Sequence, residues 1–514
     1  MISPILLLIL KFVYAICLFI LFLFSMNSLT LGILYLVHRK RIWSQHTPEM
    51  KQEWPKVTIQ LPVFNEQYMV ERLIKAIVRL DYPSDKLQIQ VLDDSTDTTT
   101  ALLAELISRF QRRGINIHLL HREDRSGFKA GAMEQALKLA TGDFVAVFDA
   151  DFLPRPDWLK KTIPWFQNPK IGFVQTRWGH VNNHYNVITR LAAMALDAHF
   201  VVEQTARAGA NLLMSFNGTA GVWRIAAIES VGGWQSDTLT EDLDLSFRAQ
   251  MAGWKYVYLP EVVVRAEVPA QIDALKKQQV RWVKGNFQVS KKLLGKVLTS
   301  RLNAGQKIMA FMHLNMLFLP YPVTFLTMLL TFPINLYAPH FMYLFGYTLI
   351  GSWGPVFLYT IAKSEFNPSL FKRVLLLPGL MLLGIGISLN CTIGIIGGFS
   401  KKSGTFERTP KFNLSSSKVH LSNNHYAVSI SPVAAAEMLM GAYMLFSTLY
   451  LYIARNYSFP YWQLVPTFAY FMIAGSSMLR FFRRTYEKAH LPEPESQAEA
   501  ANEPQTSVAT TRYI

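Results

Sequence analysis

The segment Phe144-Val145-Ala146-Val147-Phe148-Asp149-Ala150-Asp151 decides the fold, because it joins a short apolar run directly to two carboxylates. A run of this length, bounded by polar sequence, is typical of a strand that is buried on both faces of a sheet. Similar runs, rich in β-branched residues, occur upstream at Val57–Leu61 and Leu87–Leu92. The sequence therefore predicts at least three buried strands in this part of the chain.

Amphipathic stretches separate the three predicted strands. Residues 67–80, 98–113 and 129–140 carry apolar side chains at helical spacing, so that strands and helices alternate along the chain. This alternation predicts an α/β fold, with a mostly parallel sheet and helices on both of its faces. Ligands of such sheets bind beyond the carboxyl ends of the strands. Asp93-Asp94 and Asp149-Ala150-Asp151 directly follow two of these ends, and we expect them to lie on one edge.

Hydrophobic residues are concentrated towards the two ends of the chain. They make up 51% of the 514 residues, with a mean hydropathy of +0.18, which is high for a soluble enzyme. The segments Ile5–Leu36 and 309–482 contain most of this excess, whereas the middle of the chain is ordinary aqueous sequence. We predict five parts: a transmembrane helix at 1–40, a cytosolic domain at 50–270, an amphipathic interfacial helix at 271–303, a transmembrane region at 304–484 and a disordered tail at 485–514.

The net charge of +16 includes many basic residues that flank the apolar segments. Examples are His38-Arg39-Lys40-Arg41 and Lys401-Lys402, which are typical of cytoplasmic loops beside anionic lipid headgroups. This placement favours contact with membrane lipids over binding of nucleic acid. It also predicts a multi-pass protein of the cell membrane, plasma or inner, with its large domain in the cytoplasm. The two cysteines, Cys17 and Cys391, exclude a disulfide framework or a zinc site by their number.

One apolar segment of the C-terminal region is predicted not to cross the membrane. Basic residues lie at both ends of 374–399, so that both ends are assigned to the cytoplasm. Its Gly and Pro content and Asn390 are typical of an interfacial or re-entrant helix, and an ordinary sixth crossing is the alternative. Without this segment the chain has five predicted spans, formed by the N-terminal segment and by 306–335, 339–362, 431–453 and 460–482.

The acidic residues at the predicted sheet edge suit a metal ion and a nucleotide. Asp149 and Asp151 stand at i and i+2 around a bend, where both can face one Mg²⁺ or Mn²⁺ that bridges diphosphate oxygens. Asp94, at the end of its strand, can accept hydrogen bonds from a base or ribose, and the turn Pro62–Glu66 can wrap around the base. The alternatives are simple turns at Asp149–Asp151 and at Pro62–Glu66, and a helix cap for Asp93–Asp97.

Glu241 and Asp242 precede an apolar run and supply the candidate catalytic base. An inverting sugar transfer needs one carboxylate that takes the proton of the acceptor hydroxyl as its oxygen attacks the anomeric carbon. A nucleoside diphosphate that is neutralised by metal leaves without a protein acid, so no second catalytic carboxylate is required. The alternative is a charged helix N-terminus with no chemical role.

Gln278, Arg281 and Trp282 stand at i, i+3 and i+4, and therefore lie on one face of a predicted helix. Arg and Gln side chains can hold a diphosphate, and an indole can stack on a sugar ring. The alternative is an interfacial helix with an anchoring Trp. Upstream, Phe128-Lys129-Ala130-Gly131 begins another predicted helix and places Lys129 beside backbone amides that suit phosphate, with a solvated lysine as the alternative.

Together these motifs resemble those of membrane-bound, processive family 2 glycosyltransferases of the cellulose-synthase superfamily, in its mannan and glucomannan synthase-like (cellulose synthase-like A) branch. The resemblance covers residues 55–290 and extends to 404–412, which is similar to a cytoplasmic gating loop that we place at 400–415. The motifs that carry it are Leu92–Asp97, Phe128–Ala132, Phe148–Phe152, Phe216–Arg224, Thr240–Asp242, Gln278–Trp282 and Thr405–Lys411.

The resemblance implies a GT-A-type, Rossmann-like glycosyltransferase domain inserted into an α-helical transmembrane domain, whose spans form a channel for the polymer. It implies Asp242 as the catalytic base and Mg²⁺ or Mn²⁺ as the cofactor, held by Asp149 and Asp151. The expected donor-binding residues are Glu66, Asp94, Lys129, Asp149, Gln278 and Arg281, and the expected acceptor-binding residues are Asn217, Gly218, Thr219, Glu241 and Trp282.

We therefore expect an inverting hexosyltransferase that moves a sugar from GDP-mannose or UDP-glucose to a growing β-linked polysaccharide and assists its export. Its expected partners are the nucleotide sugar, a glycan or lipid acceptor, membrane lipids and accessory subunits. Two alternatives stay open. One is a transferase that adds a single sugar to diacylglycerol, ceramide or polyprenyl phosphate, and the other is a transporter or silent subunit that binds nucleotide sugars without turnover.

Overall fold

The computed structural model describes residues 3–342, 353–365, 369–399, 433–454 and 460–490, together with Thr409, Lys411 and Asn413. A sheet of seven strands follows a long N-terminal helix, α1 (Pro4–Trp43). The strands run in the spatial order β3-β2-β1-β4-β6-β5-β7, in which only β6 is antiparallel to its neighbours. This mixed sheet confirms the predicted α/β class. The strands are β1 (Val57–Val63), β2 (Leu87–Asp93), β3 (Ile117–His121), β4 (Phe144–Val147), β5 (Ile171–His180), β6 (Gly221–Arg224) and β7 (Lys255–Ala266).

Helices pack around this sheet. The three predicted helices are observed as α2 (Val70–Ile77), α3 (Thr99–Gln111) and α4 (Phe128–Leu137), each shorter than predicted. They are shorter because apolar residues at their ends lie in turns that also face the core, such as Leu80, whose N–H donates to Ile77 O. The other helices of this region are α5 (Trp158–Thr162), α6 (Val187–Asp197), α7 (Gln204–Gly209), α8 (Ile225–Glu229) and α9 (Glu241–Met251).

Strand β1 alternates apolar and polar residues and is nevertheless buried on both faces. Its apolar residues pack into a core shared with α2 and α3. On the other face, Thr58 Oγ1 donates to Gln88 Oε1 at 2.8 Å, and Gln60 Nε2 donates to Gln90 Oε1 at 3.1 Å. Helix α4 covers this face, where Gln60 Nε2 lies 3.4 Å from Met133 O. The buried polar side chains therefore hydrogen-bond to one another across β1 and β2, although Gln60 Oε1 and Gln90 Nε2 have no hydrogen-bond partner within the described ranges.

Helices make up most of the described chain after β7. They are α10 (Ile272–Thr299), α11 (Ala304–Met316), α12 (Pro320–Tyr337), α13 (Trp353–Ala362), α14 (Leu370–Val374), α15 (Leu377–Gly386), α16 (Ser388–Gly398), α17 (Ala434–Ile453) and α18 (Leu464–His490). Within the part of the chain that the structure describes, three helices are long and apolar enough to span a membrane, and up to five spans result if each of two bent pairs counts as one. The single helices are α1, α17 and residues Leu464–Phe482 of α18; the bent pairs are α11 with α12, at 66°, and α15 with α16, at 43°.

The predictions for the membrane region are met to different degrees by these helices. The segment 374–399 is broken near Ile387 into α15 and α16, and its failure to cross the membrane stays a prediction. Part of the span predicted at 339–362 and most of the gating-type loop at 400–415 lie outside the described residues. Helix α18 continues through 485–490, which the sequence assigned to the disordered tail, because residues such as Glu487 and Lys488 favour helix.

Candidate active site

Three strand ends meet at one edge of the sheet, as the strand pattern predicted. β1 pairs in parallel with β2 and β4, with Val63 opposite Asp93 and Gln60 opposite Val147. The residues that follow these strands, 64–66, 94 and 149–151, therefore lie on a common edge. This edge brings together three of the predicted donor-binding residues, Glu66, Asp94 and Asp149. It also carries Asp151, the second predicted metal ligand.

Backbone strain is also concentrated near this edge. Asn65, Phe128 and Ala220 adopt left-handed conformations, with φ of 53°, 49° and 52°. For residues other than glycine, and above all for an aromatic residue, this conformation costs about 1 kcal/mol or more. Such strain persists where the surroundings impose it, and it clusters at functional sites.

Asp94 is paired with Arg122, a residue that the sequence analysis did not select. Arg122 Nε and Nη2 donate to the two Asp94 carboxylate oxygens at 2.7 and 2.6 Å. The neighbouring Asp93 accepts hydrogen bonds from Ser95 N at 3.0 Å and contacts His121 Nδ1 at 2.8 Å. Arg122 directly follows β3, just as Asp94 follows β2, and this equivalent position was the signal that could have found it.

An aromatic and a cationic group stack beside Asp94. The Arg125 guanidinium carbon lies 3.3 Å from the centre of the Phe64 ring, which is the distance of direct cation–π contact. Burial lowers the pKa of Arg125, and the charge of Asp94 opposes that shift. Glu66 follows Phe64 by two residues. Its carbonyl oxygen accepts a hydrogen bond from Met69 N, just before the start of α2. This end of the site offers flat surfaces and paired charges, which suit a nucleobase and its ribose.

Lys129 links the predicted donor and acceptor residues. Its ammonium donates to Asp149 Oδ1 at 2.5 Å and to Gly218 O at 2.8 Å, and it lies 3.9 Å from Glu241 Oε1. Burial would lower the pKa of Lys129, but the charges of Asp149 and Glu241 outweigh it and the pKa is raised. Lys129 is therefore a cation held among carboxylates rather than the solvated lysine of the alternative reading.

Asp242 lies in the first turn of α9, and its environment favours the protonated form. Burial, followed by the negative charge of Glu241, raises the pKa of Asp242 from 3.8 to about 7. The Asp242 Oδ1 atom accepts the Leu243 N–H at 2.8 Å. Its Oδ2 atom borders Gly218, where a Cβ would lie only 3.0 Å away. A carboxylate with this pKa can take a proton and release it near neutral pH.

The two candidate metal ligands have different surroundings. The Asp149 side chain is 37% exposed, whereas that of Asp151 is 6% exposed. Asp151 Oδ2 accepts Glu267 N at 3.0 Å and Lys411 Nζ at 2.7 Å. Among the described residues, no group of three or more His, Cys, Asp or Glu side chains is arranged to hold a metal ion. Two carboxylates nevertheless fit Mg²⁺ or Mn²⁺, which complete their shells with water and substrate phosphates, and Asp149 is the more accessible ligand.

Helix α10 packs along the segment that leads to Asp242. A Cβ on Gly285 would lie 2.6 Å from Thr240 Cγ2, and Gln288 Oε1 accepts Leu239 N at 2.9 Å. Arg281 stands one turn before Gly285. Burial lowers its pKa, and the negative charges of Asp149, Glu241 and Asp242 oppose that shift. Close helix packing thus places Arg281 of the Gln278–Trp282 motif near the acids. Gln278 and Trp282 are partly exposed on the same helix.

The predicted acceptor residues lie on a tightly held loop before β6. Asn217 N donates to Gln175 Oε1 at 2.9 Å, and Gln175 Nε2 donates to Thr219 O at 3.1 Å. Thr219 Oγ1 accepts Asp149 N at 2.9 Å, which ties the loop to the sheet edge. Gln175, in the middle of β5, was not selected from the sequence, because a buried strand glutamine carries no distinctive pattern.

Comparison with known families and proteins gives a consistent assignment. Residues 55–285 match the family described as "Glycosyltransferase like family 2". The chain is 43% identical over 253 residues to "Glucomannan 4-beta-mannosyltransferase 2" of Arabidopsis thaliana, which covers 48% of this chain and 47% of the relative. It is 38% identical over 316 residues to "Glucomannan 4-beta-mannosyltransferase 1" of Oryza sativa subsp. japonica, which covers 60% and 59%. The chain thus spans about half the length of the curated relatives that it matches.

Solved structures with a similar arrangement include a mannosyltransferase from Pyrobaculum calidifontis in complex with GDP-Man and Mn2+. The identity is 19% and the TM-score is 0.49, over 75% of this chain and 100% of that one. S. aureus TarS matches with 15% identity and a TM-score of 0.38, over 62% of this chain and 54% of that one.

Proposed function

Because residues 55–285 match glycosyltransferase family 2, we propose that the chain is an inverting hexosyltransferase that extends a β-linked glycan from a nucleotide sugar. The observation that supports this best is the setting of Asp242. Its pKa of about 7 suits a general base, and it borders Gly218, whose carbonyl binds the Lys129 ammonium that also holds Asp149. A base for the acceptor and a cation for the donor therefore stand side by side.

In the proposed reaction, Asp242 is the group that takes the acceptor proton. The acceptor oxygen forms a bond to the anomeric carbon as the bond from that carbon to the donor phosphate oxygen breaks. The nucleoside diphosphate leaves with the bonding electrons, and the hydroxyl proton passes to the Asp242 carboxylate. Attack from the face opposite the leaving group inverts the anomeric centre.

The diphosphate of the donor would be bound by cations from two elements. Lys129 on α4 and Arg281 on α10 both interact with Asp149 electrostatically, so the phosphates would meet two cations that are already in place. Gln278, on the same helix as Arg281, would add a hydrogen bond to the donor. A divalent cation held by Asp149, with Asp151 close by, would take up negative charge on the departing diphosphate.

The other side of the donor site would receive the nucleoside. Asp94, held by Arg122, and the stacked pair of Phe64 and Arg125 would contact the ribose and the base. Glu66 lies at the same end. Asn217, Gly218, Thr219, Glu241 and Trp282 would surround the acceptor sugar.

We propose mannose as the donor sugar, supplied as GDP-mannose, because the curated relatives are named as glucomannan 4-beta-mannosyltransferases. UDP-glucose is the competing donor. The apolar helices would hold the chain in the cell membrane, with the sheet in the cytoplasm beside the basic residues that end α1, Lys40 and Arg41. Membrane lipids and accessory subunits would be its partners there, and the spans would carry the polymer outward.

The direct test uses the full chain, purified and placed in lipid nanodiscs. It is incubated with GDP-mannose or UDP-glucose, Mn²⁺ and mannohexaose, and the released nucleotide and the product mass are measured. We expect elongated product from GDP-mannose, and Asp242→Asn should lower turnover by about 100-fold or more because the base is lost. Asp237→Asn, at an exposed position of the same segment, is the matched control. The absence of nucleotide release from both donors would refute the proposal.

A further inference from the structure

A π-helical turn stands between the acceptor loop and the apolar helices. Helices α6 and α7 are joined by the π-helical turn Ala198–Glu203, so that residues 187–209 form one continuous helix. Such turns insert an extra residue into a helix and occur frequently at functional sites. One side of this turn packs into a buried cluster that also contains residues of α1 and α13, namely Ala198, Val201 and Val202 with Leu31, Tyr35 and Leu358.

His199 is the residue of this turn that contacts the acceptor loop. Its Nδ1 atom lies 2.9 Å from Glu203 Oε2, and its Nε2 atom lies 2.9 Å from Asn217 Oδ1. The His199 side chain remains 27% exposed and that of Glu203 11%, whereas the next residue, Phe200, is buried. Gln204 completes the cluster, with Nε2 at 3.3 Å from His199 Nε2 and 3.1 Å from Ser215 O.

The hydrogen bonds of Asn217 define how its side chain is oriented. The Asn217 carbonyl oxygen is an acceptor, so the hydrogen bond at 2.9 Å is donated by His199 Nε2. Asn217 Nδ2 donates to Ser215 O at 3.3 Å, which agrees with its carbonyl facing His199. The imidazole, held on its other side by Glu203, therefore orients the Asn217 amide.

Asn217 is the chain neighbour of the residue that borders Asp242. It directly precedes Gly218, which has a left-handed φ of 73°. Gly218 lies so close to Asp242 that a Cβ on it would be only 3.0 Å from Asp242 Oδ2. The Gly218 carbonyl also accepts the Lys129 ammonium at 2.8 Å. A rotation of the Asn217 amide would thus alter the wall of the site beside Asp242.

We propose that His199 is a positioning residue for the acceptor: held by Glu203, it orients Asn217 and thereby the loop that borders Asp242. This inference rests on the proposed function, since it takes a sugar hydroxyl as the group that enters beside Asp242. It assigns a role to the π-helical turn, which links the acceptor loop to the helices that would carry the product away.

Two substitutions separate the two hydrogen bonds of His199. In His199→Gln the side-chain amide reaches the Nε2 position and keeps a donor for Asn217, whereas in His199→Asn it reaches only the Nδ1 position and keeps a donor for Glu203. We expect the KM for mannohexaose to rise about tenfold in His199→Asn and less than about threefold in His199→Gln. The KM for GDP-mannose should stay unchanged in both variants. Equal effects of the two substitutions would overturn the inference and indicate a packing role.

His180, the last residue of β5, provides a matched control because it contacts the same helix. Its Nε2 atom lies 3.0 Å from Oδ1 of Asp197 on α6, so His180→Asn removes a similar histidine–carboxylate contact that does not touch Asn217. We expect this variant to keep the wild-type KM for mannohexaose. A tenfold rise in His180→Asn would contradict the proposal, because it would show that the loss of any histidine in contact with this helix has the same effect.

A binding measurement separates failure of the inference from failure of the proposed function. Calorimetric titration of mannohexaose into the wild type and the His199 variants, without donor, reports acceptor binding alone. If the wild type transfers no sugar but His199→Asn still binds about tenfold more weakly than His199→Gln, the positioning role stands and the transferase function falls. Equal binding by both variants, or no binding by the wild type, overturns the positioning role.

Discussion

The two ends of the candidate site balance their charges in different ways. At the nucleoside end, Asp94 forms a two-point ion pair with Arg122, and Asp93 contacts His121. At the sugar end, Asp149, Glu241 and Asp242 share two cations, Lys129 and Arg281.

The consequence of this difference is seen in the pKa values. With three carboxylates and two cations in a buried space, burial and mutual repulsion raise the pKa of Glu241 and bring that of Asp242 to about 7. At the nucleoside end, the Asp94 carboxylate is fixed by its own guanidinium and is placed to bind a ligand. At the sugar end, the three carboxylates outnumber the two cations, and Asp242 can therefore take up a proton near neutral pH. The comparison therefore separates a binding region from a reacting region within one sheet edge.

Lys129→Met should have the largest effect, because it removes the cation that the reacting region shares. It leaves Asp149 and Glu241 without their shared cation, and the unpaired charge of the buried Glu241 is destabilising. We expect transfer to fall by about 100-fold or more and the melting temperature to drop by several degrees. Product formation and thermal unfolding are the measurements.

The control is Lys75→Met, which breaks an exposed ion pair with Glu71 and should change stability by less than about 1 kcal/mol. If both lysine variants behaved alike, the cluster around Lys129 would have no special role.

An intermediate effect is expected at the nucleoside end. Arg122→Lys keeps the positive charge but loses the fork that binds both Asp94 oxygens. The KM for the nucleotide sugar should rise about tenfold while kcat changes little, since this end binds the donor and does not react. Initial rates at varied donor concentration provide the test. A fall in kcat with an unchanged KM would place the reacting region at the wrong end.

The pH dependence of turnover gives the finest test of the comparison. Asp242 must be ionised to accept a proton, so kcat should rise with pH through about 7 and level off above it. Glu241→Gln removes the negative charge that helps raise the pKa of Asp242, and should move this midpoint to lower pH. Arg122→Lys should leave the midpoint where it is. A pH profile that is flat between 5 and 8 would contradict the role of Asp242.

The raised pKa of Asp242 also predicts how the stability of the folded chain changes with pH. The pKa of Asp242 in the folded chain, about 7, lies above its ordinary value of 3.8. Between these two pH values the folded state therefore binds more protons than the unfolded state. The contribution of Asp242 to the free energy of unfolding falls as the pH rises from about 3.8 to about 7. Asp242→Asn should abolish that loss and be at least as stable as the wild type at pH 8, as thermal unfolding can measure.

Much of the site could be predicted from short segments of sequence. The run Phe144–Phe148 was identified as a strand because its apolar residues are consecutive, and Asp149 and Asp151 follow its end in the chain itself. Asp242 was selected because an inverting transfer needs one carboxylate base, and the helix that formed the alternative interpretation is observed at Glu241–Met251. These features depend on neighbours within a few positions, and local periodicity reports them directly.

Other parts of the site could not be predicted because their partners are distant in sequence. Arg122 reaches Asp94 across 28 positions, and Gln175 reaches Asn217 across 42. A glutamine inside a buried strand has no distinctive pattern, and the position of Arg122 after β3 does not by itself identify Asp94 as its partner. His199 is a further example, since its role emerges only when a π-helical turn brings it against the loop.

The sequence by itself determined the α/β class, the acids that follow the strands and the apolar segments, because each is written in local order and composition. Only the tertiary structure decided how those acids are charged and what they contact. The crossover connections of the sheet bring Arg122 to Asp94 and leave Asp149, Glu241 and Asp242 with two shared cations, Lys129 and Arg281. The physical reason is that a pKa depends on burial and on charges within a few ångströms, and those distances exist only in the folded chain.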